Sequence, residues 1–104
     1  MPSRDETIHA SVIAEIERAR DAACTAPVTA HGRTWQADQR SQALLGQAIT
    51  LASAGLPLPA VWRDADNRDM PITSLGDLLA IAGAIAAQVQ AAYAASWEAK
   101  AALP

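Results

Sequence analysis

The sequence predicts an α+β fold: helix, β-hairpin, helix, β-hairpin and a long C-terminal helix, with small antiparallel sheet structure packed on the helices. Three observations carry this expectation. Apolar residues recur at helical spacing in three separate stretches, two short β-compatible runs folded about turn signals lie between them, and proline or glycine stands at the borders. The repeated hairpin-helix unit, 29–54 and then 60–102, hints at an internal duplication. At 104 residues the whole chain, 1–104, is expected to be a single domain near the small end of what buries its own core.

The first helix is expected over 5–24. Ile8, Val12, Ile13, Ile16, Ala19 and Ala23 fall at steps of three and four, with Glu15, Glu17, Arg18 and Arg20 mostly on the other side. Pro27 closes the element, because the residues before a proline are steered away from helical geometry. Val28-Thr29-Ala30 and Arg33–Ala37 then flank His31-Gly32, a tight-turn signal, since glycine tolerates the positive φ such turns demand. Asp38 is placed to cap a second helix from Gln39 to about Ala54, and Gly55 is its natural left-handed terminator.

Leu56-Pro57-Leu58-Pro59 enforces an extended connector. The second hairpin is expected over Ala60–Asp64 and Arg68–Ile72, turning at Ala65-Asp66-Asn67; Pro71 lacks an amide hydrogen and must lie on an edge. Short hairpins leave order and direction open, so whether the two pair into one sheet is not fixed. Ser74 with Asp77 approximates a capping box for the last helix, which runs from Leu75 to about Ala102, roughly 42 Å at about 1.5 Å per residue.

Composition narrows the function. The net charge is −3 and the eight Lys and Arg are scattered, so nucleic acid is not an expected partner. The single cysteine, Cys24, makes no intrachain disulfide and reads as a small apolar group near a helix end. The N-terminus has no apolar run of the signal-peptide kind, so the chain is expected to be made in the cytoplasm. His9 and His31 have no partner set for a metal site or a catalytic triad, and the five glycines never cluster into a phosphate loop. Residues 64–69, DADNRD, begin like a calcium loop but fail it: Arg68 stands at the third alternating ligand position, no glycine follows at the sixth, and Leu75 replaces the closing Glu. Neither enzyme chemistry nor a cofactor or metal is expected.

The last helix offers the one candidate surface. Residues 78–97 carry no charge and match a membrane span in length, but Gln88, Gln90 and Ser96 argue against insertion, and the many alanines add little to it, so a membrane is not expected. Leu78, Ile81, Ile85, Val89, Tyr93 and Trp97 form a stripe at steps of three and four. It either covers the protein's own hairpins or mediates self-association, and both uses are open. With no Phe in the chain, Trp35 and Trp62, one on each hairpin, are the expected structural core, and Trp97 is counted with them as the contribution of the long helix.

The ordered set Trp35, Gln36, Asp38 and Ser41, then Trp62, Asp66-Asn67 and Ile72-Thr73, then Tyr93, Trp97 and Lys100, resembles a family of bacteriophage and prophage tail-associated domains. Domains of that family have no established molecular function and often stand at the C-terminal end of tail-fibre-type proteins. The resemblance covers roughly 27–103 and departs from the pattern at the 56–59 connector and at Pro71. It implies a tail protein of the virion, made in the host bacterium, that works through contacts with other phage tail proteins and is expected to be a homo-oligomer. Either a structural piece near the baseplate or fibre attachment, or a fibre-assembly factor absent from the finished particle, fits it; a small membrane-active phage protein is the third possibility.

Overall fold

A computed structural model describes residues 3–104. Its element order is the expected one: α1 (Arg4–Cys24), β1 (Val28–Ala30), β2 (Arg33–Trp35), α2 (Gln39–Ser53), β3 (Val61–Arg63), β4 (Asp69–Pro71) and α3 (Leu75–Ala101). α1 begins a residue earlier than its apolar periodicity indicates, because Ser3 caps it. Ser3 Oγ accepts from the Glu6 amide at 3.2 Å while Glu6 Oε2 accepts from the Ser3 amide at 3.1 Å. This is a reciprocal capping box, and it satisfies two otherwise orphaned amides.

Each hairpin turns on residues with positive φ. His31 (56°) and Gly32 (67°) form the first turn, and Asn67 (59°) completes the second. Two consecutive left-handed residues give the twist a two-residue hairpin needs. β1 pairs antiparallel with β2, Val28 opposite Trp35, and β3 pairs with β4, Val61 opposite Pro71. Pro71 is tolerated because its strand has a partner on one side only. The hairpins do not merge: they remain two separate two-stranded sheets, and the Ala65 amide donating to the Thr34 carbonyl at 2.9 Å bridges them. Strands of three residues expose too few ladder groups to fuse further.

α2 ends as expected at Gly55 (φ 93°), where Leu56 N donates to Leu51 O at 3.0 Å and Gly55 N to Ala52 O at 3.1 Å, the paired bonds of a Schellman cap. Its start differs from expectation. The Asp38 side chain makes no capping hydrogen bond; instead Gln42 Nε2 donates to the Ala37 carbonyl at 2.8 Å and to the Cys24 carbonyl at 3.2 Å. That amide ties the end of α1 to the start of α2.

The core lies where α2 and both hairpins meet the first half of α3. Val28, Trp35, Leu45, Met70, Ile72, Leu78, Ile81 and Ile85 are its large buried members, with Trp62 packed against them from the side. Trp35 is 1% exposed, and its Nε1 donates to the Ala30 carbonyl at 2.9 Å. Beyond this core, α1 runs antiparallel along the second half of α3. Gln88 on α3 donates to the Ala26 carbonyl just past α1, and about three helix turns further along α3 Lys100 Nζ meets Glu17 Oε1 at 3.1 Å. The result is a two-helix arm. None of the residues of α1 is buried, and the molecule measures 58 × 28 × 21 Å. Its radius of gyration is 18.0 Å, against about 13 Å for a compact domain of this length.

Candidate functional site

The uncharged stripe of α3 divides into two parts. Leu78, Ile81 and Ile85 are buried in the core against the hairpins and α2, and Val89 packs half-buried at its margin. Leu78, Ile81 and Ile85 are therefore spent on the chain's own core. The drift of a four-residue step around the axis carries the later members off the core side, and the hairpins that cover the first three end before the arm begins. Tyr93 is therefore 36% exposed and Trp97 64% exposed. Trp97 is not part of the core, which corrects the reading that counted it there.

Tyr93 and Trp97, one turn apart, have ring centroids 6.0 Å apart and planes tilted by 57°. Arg20 of α1 places its guanidinium 4.9 Å from the Tyr93 centroid while Nε donates to Asp21 Oδ1 at 3.0 Å. The stacked cation holds the tyrosine ring down on the arm. The tryptophan has no comparable cover and presents its indole to solvent.

At the other end of the molecule an open cleft of about 570 Å³ separates α2 from the second hairpin, with Trp62, Val61 and Leu44 on its apolar side and Gln36, Ser41 and Asn67 on its polar side. Its floor is held by Asp64. The side chain of Asp64 is 0% exposed. Asp64 Oδ1 accepts from the amides of Asp66 (2.9 Å) and Arg68 (3.0 Å), and Oδ2 accepts from Arg33 Nη1 (3.1 Å). The Arg68 amide, the Arg33 guanidinium and the Asp66 amide together hold its carboxyl below the ordinary value, against the opposing effect of burial. Oδ1 is committed to folding the turn and Oδ2 to the first hairpin. An aspartate opening a D-x-D-N-R turn carries this Asx-turn signal in the sequence.

Asp77 plays the matching part at the start of α3. Its Oδ2 accepts from Thr73 N (2.7 Å), Thr73 Oγ1 (2.9 Å) and Ser74 N (3.2 Å), which holds its carboxyl low as well. His31 Nε2 donates to the Asp77 carbonyl at 2.9 Å, so this histidine fastens the first turn to α3. Cys24 is half-buried and unbonded to another cysteine. Among the described residues no three His, Cys, Asp or Glu side chains gather as a metal-ligand set.

A family model described as a domain of unknown function, DUF4376, matches residues 7–104. The chain belongs to that family. No curated protein and no solved structure matches it significantly. The DUF4376 match spans both hairpins, α2 and α3 together with nearly all of α1, so the arm and the core are both within the family region. The description of the family assigns no chemistry.

Proposed function

We propose that this protein is a non-enzymatic bacteriophage or prophage tail protein that acts through protein–protein contact, with the exposed flank of α3 at Tyr93 and Trp97 as its docking surface. The observation that carries the contact reading is the imbalance in α3. It is apolar and long enough to span a membrane, yet only 22% of its most apolar window is buried within the chain. The large apolar side chains that α3 leaves exposed are Leu79, Tyr93 and Trp97, and such side chains gathered on one flank of a helix suit an interaction site. The tail setting rests on the ordered resemblance from Trp35 through Lys100, and other tail proteins are the partners it implies.

The same helix raises the membrane-active reading. Its cost is structural. Moving α3 into a bilayer withdraws Leu78, Ile81 and Ile85 from Trp35 and Leu45, so the core dissolves as the helix inserts. Contact with protein leaves those residues in place.

Quantitative mass spectrometry of particles released from the host, calibrated against a major tail protein, tests the proposal. A fixed small-integer ratio makes the protein a structural tail component near the baseplate or fibre attachment. Absence from particles with presence in fibre complexes from the lysate makes it an assembly factor. Absence from both overturns the tail assignment.

A further inference from the structure

The outer face of α3 carries a pattern that the inward stripe conceals. Leu79, Gly83, Ala86, Gln90, Tyr93 and Trp97 are spaced 4, 3, 4, 3 and 4 apart, and all six are exposed. Alternating steps of four and three average 3.5, the spacing that keeps one seam facing a partner helix. The seam is about 27 Å long at roughly 1.5 Å per residue.

Gly83 makes no sense within one chain. It sits in mid-helix without positive φ, and a Cβ built on it meets nothing within 4 Å. Alanine there is favoured by helix propensity and obstructed by nothing. Gly46 on α2 is equally open and lines, with Ala82, Ala86 and Gln90, a groove of about 390 Å³ beside the seam. Two interior glycines whose missing side chains face open space fit the close approach of another backbone.

We propose that this face pairs with the same face of a second copy of the chain, the two α3 helices antiparallel across a two-fold axis. The inference rests on the contact reading above and names one partner for that surface. Centred on residue 88, antiparallel pairing sets Leu79 against Trp97 of the second copy, Gly83 against its Tyr93, and Ala86 against its Gln90. Each large side chain meets a smaller one, whereas parallel pairing stacks Trp97 on Trp97 and leaves Gly83 facing Gly83. The sequence of the seam is thus complementary to its own reverse, which is what an isologous contact requires. Opposed helix dipoles favour the same direction. The chain as a whole also leaves more surface uncovered than a compact monomer does. The chain exposes 6887 Å², whereas a folded monomer of 10.9 kDa exposes about 5,600 Å². The excess, spread over the whole elongated chain, is larger than the roughly 800 Å² that each partner contributes to a standard interface.

Light scattering coupled to size exclusion tests this on the full chain, on Gly83→Leu and on Leu79→Glu. The expected masses are twice 10.9 kDa for the natural chain and 10.9 kDa for both variants, with unchanged helical circular dichroism. The Tm of the natural chain should rise with protein concentration, and that of Gly83→Leu should not. Gly83→Leu is the sharper variant, because leucine improves helix propensity and its Cβ meets nothing within 4 Å in its own chain. A monomeric natural chain at high micromolar concentration overturns the proposal, as does a Gly83→Leu variant that remains dimeric. If the chain is monomeric yet Trp97→Ala abolishes its incorporation into particles, the second-copy inference fails while the tail-contact reading stands. A dimer broken by Gly83→Leu but absent from particles and fibre complexes gives the converse.

Discussion

Arg33 on the first hairpin reaches Asp64 on the second, Nη1 to Oδ2 at 3.1 Å, across 31 residues of chain. The carboxylate it meets is fully buried, and Arg33 itself is 30% exposed in its side chain. Together with the Ala65 amide on the Thr34 carbonyl, this pair is what joins two sheets that share no ladder.

Removing Asp64 leaves two turn amides and a guanidinium without their acceptor, and unmet buried donors cost more than the bond itself was worth. Asp64→Ala should lower Tm more than Arg33→Ala does, with Asp64→Asn between them because one acceptor oxygen remains. Thermal unfolding followed by circular dichroism gives the order. Equal losses for Asp64→Ala and Arg33→Ala would show that the ion pair, and not the turn amides, carries the effect.

Asp64 and Asp77 both titrate below their ordinary value of 3.8 because backbone amides hold the ionised form. A depressed folded pKa means that the unfolded chain binds protons first as pH falls. Their contribution is complete above the unfolded value and is lost as pH drops through it towards the folded one. Denaturant midpoints should therefore be flat from neutrality to about pH 5 and fall steeply below about pH 4, and Asp64→Asn should flatten that fall.

The two ends of the expected stripe should respond oppositely to truncation. Leu78→Ala opens a cavity beside Trp35 and should cost about 2–5 kcal/mol, while Trp97→Ala, measured on dilute protein, should change stability by less than about 0.5 kcal/mol. Urea unfolding of both variants decides it. A large loss from Trp97→Ala would place that indole in a packed environment.

Gly32 and Gly83 should also part ways. Gly32 holds φ at 67°, so Gly32→Ala should cost about 1 kcal/mol. Gly83 is helical and open, so Gly83→Ala on dilute protein should add about 0.5–1 kcal/mol.

Much of the fold was legible in the sequence. The order of elements, the His31-Gly32 turn, the Gly55 terminator and the Asp77 cap all follow from local chemistry, since a turn or cap is decided by residues a few positions apart. The Ser3 cap has a signature of its own, Ser-x-x-Glu ahead of an apolar run, whereas apolar periodicity alone starts the helix at residue 5. The candidate surface was legible only in part. One stripe from Leu78 to Trp97 was visible, but its division between core and solvent depends on where the hairpins stop covering α3.

By itself the sequence determined which segments are helical, where each hairpin turns, and that α3 carries more apolar surface than charge. Those outcomes are short-range: spacing, φ preference and capping act within one or two turns. Tertiary structure alone decided that Asp64 is buried, that the hairpins stay separate, that α1 lies antiparallel on the far half of α3, and that Leu79, Gly83, Tyr93 and Trp97 share an uncovered face. Those outcomes depend on which surfaces meet across 30 to 80 residues of chain. Alanine-rich helices specify such meetings weakly, because a methyl group fits almost any neighbour.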